Sequence, residues 1–186
     1  MPDAVTAIER DHRELEALFE RVLAGEGDRD ALLAEIYLRL NAHSRAEELE
    51  VYPFVGKPEV GEREEEVVHA EKEHFEAEHL LRRARNLTAS PHFEEAFRAF
   101  VAAVSHHVEE EESTVLPKLR ELVDGATLER LGAAFEMERA RLLELPEKPV
   151  ATLSRDELYD LAKEADVPGR SRMSKQELAD AVGEPT

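Results

Sequence analysis

Apolar residues recur at helical spacing along nearly the whole chain, and no stretch alternates with the two-residue period of a strand. This pattern predicts a first helix over about residues 3–23, interrupted at AGEGD, and a second over 28–52, stopped by Pro53. A third helix covers about 59–87, after the loop FVGKP. Ser90 and Pro91 read as the cap and first-turn proline of a fourth helix that ends at Pro117. A fifth spans about 127–145. PEKPVA then marks a linker, at 147–153. Beyond it SRDEL from Ser154 and SKQEL from Ser174 each open with the Ser-x-x-Glu of a capping box, on either side of the turn-rich DVPGRSRM. The expected fold is all-α: an up-and-down four-helix bundle with an extra fifth helix in residues 1–146, followed by a small helix–extended–helix module in 154–186.

The apolar stripes repeat. Val5, Ile8, His12, Leu15 and Phe19 on the first helix match Val67, Ala70, His74, Ala77 and Leu81 on the third, 62 positions later. Ile36, Leu40, His43 and Glu47 on the second match Phe100, Val104, His107 and Glu111 on the fourth, 64 positions later. At about 100° per residue, each set lies within about 60° of its histidine. The first four helices therefore read as a duplicated helix pair. Each aims one histidine at the bundle centre, and two add an inward carboxylate one turn on.

Composition narrows the chemistry. Of 186 residues, 36% are charged and only 5% aromatic, which suits helices with long solvated faces. A net charge of −19 opposes general binding to nucleic acid or anionic lipid and favours concentrating cations. No cysteine is present, so disulfides, iron–sulfur clusters and thiolate zinc sites are excluded. The N-terminus lacks the basic start and apolar run of a signal peptide, and no window has the roughly 18 apolar residues of a membrane span. A soluble cytoplasmic protein with no membrane partner is the expectation.

Four inward imidazoles and two inward carboxylates form a donor set for a pair of cations, suited to iron, manganese or zinc. Burying those groups without a cation would leave polar atoms in need of partners. The spacing alone is uninformative, because His-x-x-x-Glu follows six of the eight histidines. The stripe discriminates. His69 and His79 lie about 140° from His74, and His106 about 100° from His107. Those three, with His92 at a helix start, are expected at the solvated rim. Glu48 and Glu112 lie about 100° beyond Glu47 and Glu111, in solvated or supporting positions rather than ligating ones. Tyr52 is expected to pack near a helix end, its hydroxyl within reach of a supporting group.

DHREL from Asp11, His43-x-x-x-Glu-Glu-x-x-x-Tyr-Pro, Glu73-His74 and His107-x-x-x-Glu-Glu-x-x-x-Leu-Pro together resemble the hemerythrin-like, or HHE cation-binding, family over about residues 3–145. The resemblance implies that His12, His43, Glu47, His74, His107 and Glu111 hold two non-haem iron ions, oxo- or hydroxo-bridged, with Glu47 and Glu111 as bridging carboxylates. Zinc or manganese are the other metals the set accepts. It also implies a small diatomic or peroxide ligand: oxygen, nitric oxide or peroxide. One departure stands out. Oxygen-carrying members use a fifth histidine four residues from another on the third helix, where this chain has Ala70 and Glu78. Either Glu78 completes the shell or a position stays open to water.

An alternative is a ferritin-like di-iron oxidase using Glu9, Glu71, His12, His74, Glu47 and Glu111, which leaves the inward His43 and His107 unexplained. From Ser154 the tail resembles the N-terminal module of transcription terminator Rho. That implies nucleic-acid or protein docking, and with it a third reading as a nucleic-acid-associated regulator. Its five basic residues face eight acids, and only Arg170, Arg172 and Lys175 cluster.

Overall fold

Asp3 starts the first helix by accepting the Thr6 amide at 2.9 Å, supplying a partner for a donor the helix itself cannot satisfy. The same device starts two more helices: Asp28 accepts from Ala31 at 3.0 Å and Asp124 from Thr127 at 2.7 Å. The structure is a computed structural model describing residues 2–55, 65–144, 154–164 and 167–183. Among these the α-helices are α1 (Ala4–Leu23), α2 (Arg29–Glu50), α3 (Glu65–Asn86), α4 (Phe93–Glu110), α5 (Leu116–Leu122), α6 (Gly125–Leu143), α7 (Arg155–Glu164) and α8 (Lys175–Gly183). No strand occurs among the described residues. The chain leaves α1 through Gly25 and Gly27, whose φ values of 69° and 75° lie where a side chain would be strained.

Four boundaries differ from the sequence expectation. The second helix ends at Glu50, and Pro53 sits inside a 3-10 turn, Tyr52–Phe54. Ser90 does not cap the fourth helix; its hydroxyl accepts the His92 amide at 3.2 Å in the preceding turn, and the helix begins at Phe93. The fifth begins at Gly125 because Asp124 provides the cap. Pro117 does not end the fourth helix. A π turn, Glu111–Val115, closed by the Leu116 N–H on the Glu111 carbonyl, widens the helix just before the proline, and α5 continues through it. The expected start of the third helix at 59 and the linker 147–153 lie outside the described residues.

α1 to α4 form the up-and-down bundle, and α6 packs along α1 and α2. The core is in two apolar layers. Leu15, Phe19, Leu33, Ile36, Leu81, Phe97 and Phe100 belong to one. Ile8, Ala46, Val51, Val67, Leu116, Leu119 and Phe135 belong to the other. On each bundle helix the inward histidine falls between the two layers, so the antiparallel order brings all four to one level. Burying each large apolar side chain contributes about 1.5–3 kcal/mol, and these layers carry the cost of the polar level between them. In the tail, Leu158 and Ala162 of α7 pack on Leu178 and Val182 of α8. Ser174 and Glu177 form the expected reciprocal capping box, with bonds of 2.7 and 3.2 Å.

Candidate metal centre

The polar level holds the six residues picked out by the stripes. His12, His43, Glu47, His74, His107 and Glu111 are all buried, none more than 6% exposed. α1, α2, α3 and α4 supply one histidine each. Glu47 comes from the last turn of α2, and Glu111 opens the π turn after α4. Glu111 itself keeps regular helical backbone, its N–H bonded to the His107 carbonyl, and the π turn widens the helix immediately after it.

Each histidine is held from behind by a carboxylate on a neighbouring element. His43 Nδ1 lies 3.0 Å from Asp11 Oδ2 on α1, and His107 Nδ1 lies 3.1 Å from Glu73 Oε2 on α3. His12 Nδ1 meets Glu112 Oε1 at 2.9 Å, and His74 Nδ1 meets Glu48 Oε1 at 3.2 Å. Two of these acids immediately precede an inward histidine and two immediately follow an inward glutamate. The contacts therefore run α2 to α1, α1 to the α4 end, α4 to α3 and α3 to α2, a closed ring with the symmetry of the duplication. Arg139 on α6 donates to Asp11 Oδ2 at 2.6 Å and pairs with its other oxygen, and Phe135 on α6 meets the His43 ring edge-on at 5.9 Å. α6 thus supports the site.

With Nδ1–H donated outward, a neutral imidazole at any of these positions turns its Nε2 lone pair toward the centre. His12 Nε2 and His43 Nε2 are 3.2 Å apart, and His74 Nε2 and His107 Nε2 are 3.1 Å apart. Glu47 reaches both pairs, Oε1 at 3.2 Å from His43 Nε2 and Oε2 at 3.3 Å from His74 Nε2. Glu111 Oε2 lies 3.3 Å from His12 Nε2 and 3.9 Å from His107 Nε2. The donors form two groups within cation reach: His12, His43, Glu47 and Glu111, and His74, His107 and Glu47.

The donors fit a pair of cations. Glu47 Oε1 is buried with no hydrogen-bond donor, Glu111 Oε2 has only the His12 ring nitrogen at 3.3 Å, and imidazole nitrogens face each other in pairs across about 3 Å. A cation resolves both problems. Two nitrogens bonded to one ion at about 2.1 Å sit about 3.0 Å apart in neighbouring octahedral positions and about 3.4 Å apart in tetrahedral ones. The observed 3.1 and 3.2 Å fall between these values, so one ion could bind both nitrogens of each pair.

Electrostatics without a cation point the same way. Burial works against a charged His12, yet the Glu111 hydrogen bond and the charges of Glu111 and Glu47 push its pKa up to about 9. Burial pulls His43 down to about 4. Glu47 is pushed well above the usual carboxylate range by burial and by the Glu111 charge. Glu111 is held low against burial by its bond to His12 and the charges of His107 and His12. A proton on His12 thus stands where positive charge is wanted.

Tyr52 does more than pack. Its ring stacks on His74 at 5.8 Å and its hydroxyl donates to Glu111 Oε1 at 3.1 Å. That hydroxyl also lies 3.4 Å from His74 Nε2 and 3.5 Å from Glu47 Oε2. Glu48 and Glu112 meet the Nδ1 atoms of His74 and His12, on the side of each ring away from its Nε2. Glu78 does not join the centre: it accepts from Tyr37 at 3.1 Å and pairs with Arg82. Glu9 is exposed, which removes a donor the ferritin-like arrangement requires. His69, His92 and His106 are exposed and His79 half-buried. Asp11, Glu73 and Arg139 escaped the stripe criterion, although the adjacency of Asp11 to His12 and of Glu73 to His74 was a signal available in the sequence.

Two surface pockets reach the ring. One, of about 720 Å³ between α2 and α3, is lined by Glu48 and His74. The other, of about 760 Å³ between α3 and α4, is lined by Ala70, Glu73, His107 and Glu111. Residues 3–119 match the family model described as the hemerythrin HHE cation binding domain. Residues 151–183 match that of the Rho termination factor, N-terminal domain. No curated protein and no solved structure matches the chain.

Proposed function

The chain belongs to the hemerythrin HHE cation binding family, and from that premise we propose that it holds a non-haem di-iron centre that binds, senses or handles oxygen or a related small oxidant, nitric oxide or peroxide. His12 and His43 would hold one iron, His74 and His107 the other, with Glu47 and Glu111 shared between them. The observation that carries this reading is the facing Nε2 pairs at 3.1 and 3.2 Å beside two buried carboxylates, Glu47 and Glu111. Two irons supply redox-active Lewis-acid chemistry toward such ligands.

The chain's own residues do the rest. Asp11, Glu48, Glu73 and Glu112 fix the histidine tautomers and raise their basicity, which favours the higher metal charge. The Tyr52 hydroxyl stands beside Glu111 as a hydrogen-bond donor. Ala70, the position with no fifth histidine, lines the α3–α4 pocket, so a small molecule can approach the His74 and His107 side. No helix among the described residues is long and apolar enough to cross a membrane, in keeping with a cytoplasmic setting. For the tail, the match over 151–183 supports docking to nucleic acid or protein. Salt-dependent DNA retention, lost when residues after 150 are deleted, is the test of the nucleic-acid partner.

The central test is metal analysis of the purified chain with ultraviolet–visible spectra after anaerobic reduction and then aeration. The expected result is about two irons per chain and absorption that changes on aeration. A preparation that takes up no iron, or His43→Ala and His107→Ala variants with undiminished uptake, refutes the proposal.

A further inference from the structure

Two of the His-x-x-x-Glu repeats that composition alone explains, His69–Glu73 and His106–Glu110, are brought face to face on the outer side of α3 and α4. Glu110 spans both histidines: Oε1 lies 3.3 Å from His106 Nε2 and Oε2 lies 3.4 Å from His69 Nε2. Glu73 Oε1 completes the group at 3.6 Å from His69 Nε2 and 3.8 Å from His106 Nε2. His69, Glu73 and Glu110 offer ligand atoms that all lie within 4.8 Å of one another. Two imidazoles and two carboxylates are a borderline donor set for zinc, iron(II) or manganese. Among the described residues, His69, Glu73 and Glu110 are the group of that kind outside the buried level, and His106 joins them through its contacts with Glu73 and Glu110.

A second observation ties the cluster to the interior. His69, Glu73 and Glu110 line the same pocket of about 760 Å³ as His107 and Glu111. Glu73 belongs to both places: Oε1 faces the exposed histidines while Oε2 holds His107 Nδ1 at 3.1 Å. The histidines are accessible, with 58% and 62% of their side chains exposed, so a hydrated cation reaches them without any opening of the bundle.

We propose that His69, Glu73, His106 and Glu110 form a third, exchangeable divalent-metal site at the mouth of this pocket, which captures metal and raises its concentration beside the buried donors. The capture site stands on its own geometry; its role in loading rests on the di-iron reading above.

The test is zinc stoichiometry of the metal-stripped full-length chain, by equilibrium dialysis and elemental analysis, for the wild type, H69A/H106A and E110Q. All three altered side chains lie outside the buried centre, and His92→Ala is the control for exposed histidines in general. Three equivalents in the wild type and two in H69A/H106A and E110Q are expected. Loading of the buried donors at substoichiometric zinc should slow by about tenfold or more in those variants, as loss of a local ion-concentrating site implies. Two equivalents in every form overturn the proposal. One equivalent in the wild type and none in H69A/H106A would uphold the surface site while refuting the buried pair.

Discussion

Glu47→Gln separates a cation site from a hydrogen-bonded polar core. Glu47 is fully buried, its Oε1 has no donor, and burial together with the Glu111 charge disfavours its ionisation. Glutamine keeps the shape, removes the charge and offers an amide N–H to the lone pair of His43 or His74. Relief of an unsatisfied buried group is worth about 1–3 kcal/mol. In a chain of this size that raises the melting temperature of the metal-free protein by about 3–10 °C. With metal the sign reverses. A carboxylate about 4 Å from a unit charge at an effective dielectric of about 20 contributes on the order of 4 kcal/mol, so affinity should fall by at least about a hundredfold. Calorimetric melting with and without zinc reads both effects. The two curves should cross: the variant more stable when stripped, the wild type more stable when loaded. A stripped variant less stable than the stripped wild type by more than about 1 kcal/mol would mean that the Glu47 charge is satisfied within the protein, and the argument from an orphaned oxygen would fail.

Other outcomes follow from the same geometry. His12 has a folded pKa of about 9 against 6.5 unfolded, so it binds its proton more tightly when folded. Its contribution to the metal-free protein is complete below pH 6.5 and lost as pH rises to 9, on the order of 3 kcal/mol; urea melts of stripped protein across that window should show the decline. Metal must displace the same proton, so apparent affinity should rise about tenfold per pH unit up to about pH 9 and then level, as competition titrations with a chelator would show. Glu48→Gln and Glu112→Gln, which loosen His74 and His12 without emptying the core, should each weaken metal binding about 10- to 100-fold with little change in stripped stability. Gly132→Ala should cost about 1–3 kcal/mol in chemical denaturation, because a Cβ there would meet the Pro2 carbonyl oxygen at 2.4 Å and the Ala4 nitrogen at 2.8 Å.

The tail charges separate in a way their spacing did not reveal. Arg155 donates to the Met173 carbonyl at 3.0 Å and Arg170 to the Val167 carbonyl at 3.3 Å. They hold the connector against the helices, and Arg155, Arg172 and Lys175 are exposed.

Helical periodicity and aspartate caps act within a few residues, so the sequence by itself determined the all-α fold, the starts of α1 and α2, and the faces of the first four helices. The inward positions of His12, His43, Glu47, His74, His107 and Glu111 followed from angle alone. The sequence could not show which neighbour stands behind each of them. Asp11 and Glu73 each sit one residue from an inward histidine on their own helix, yet they orient His43 and His107 on the adjacent helices, a relation fixed by interhelical packing. The same packing turned His69 and His106 from scattered rim residues into partners on one surface. Pro117 predicted a stop from local sterics, but a π turn shifted the hydrogen-bond register and let the helix run on. Local chemistry sets each helix and its stripe. Burial of the two apolar layers against one another decides which polar groups meet between them.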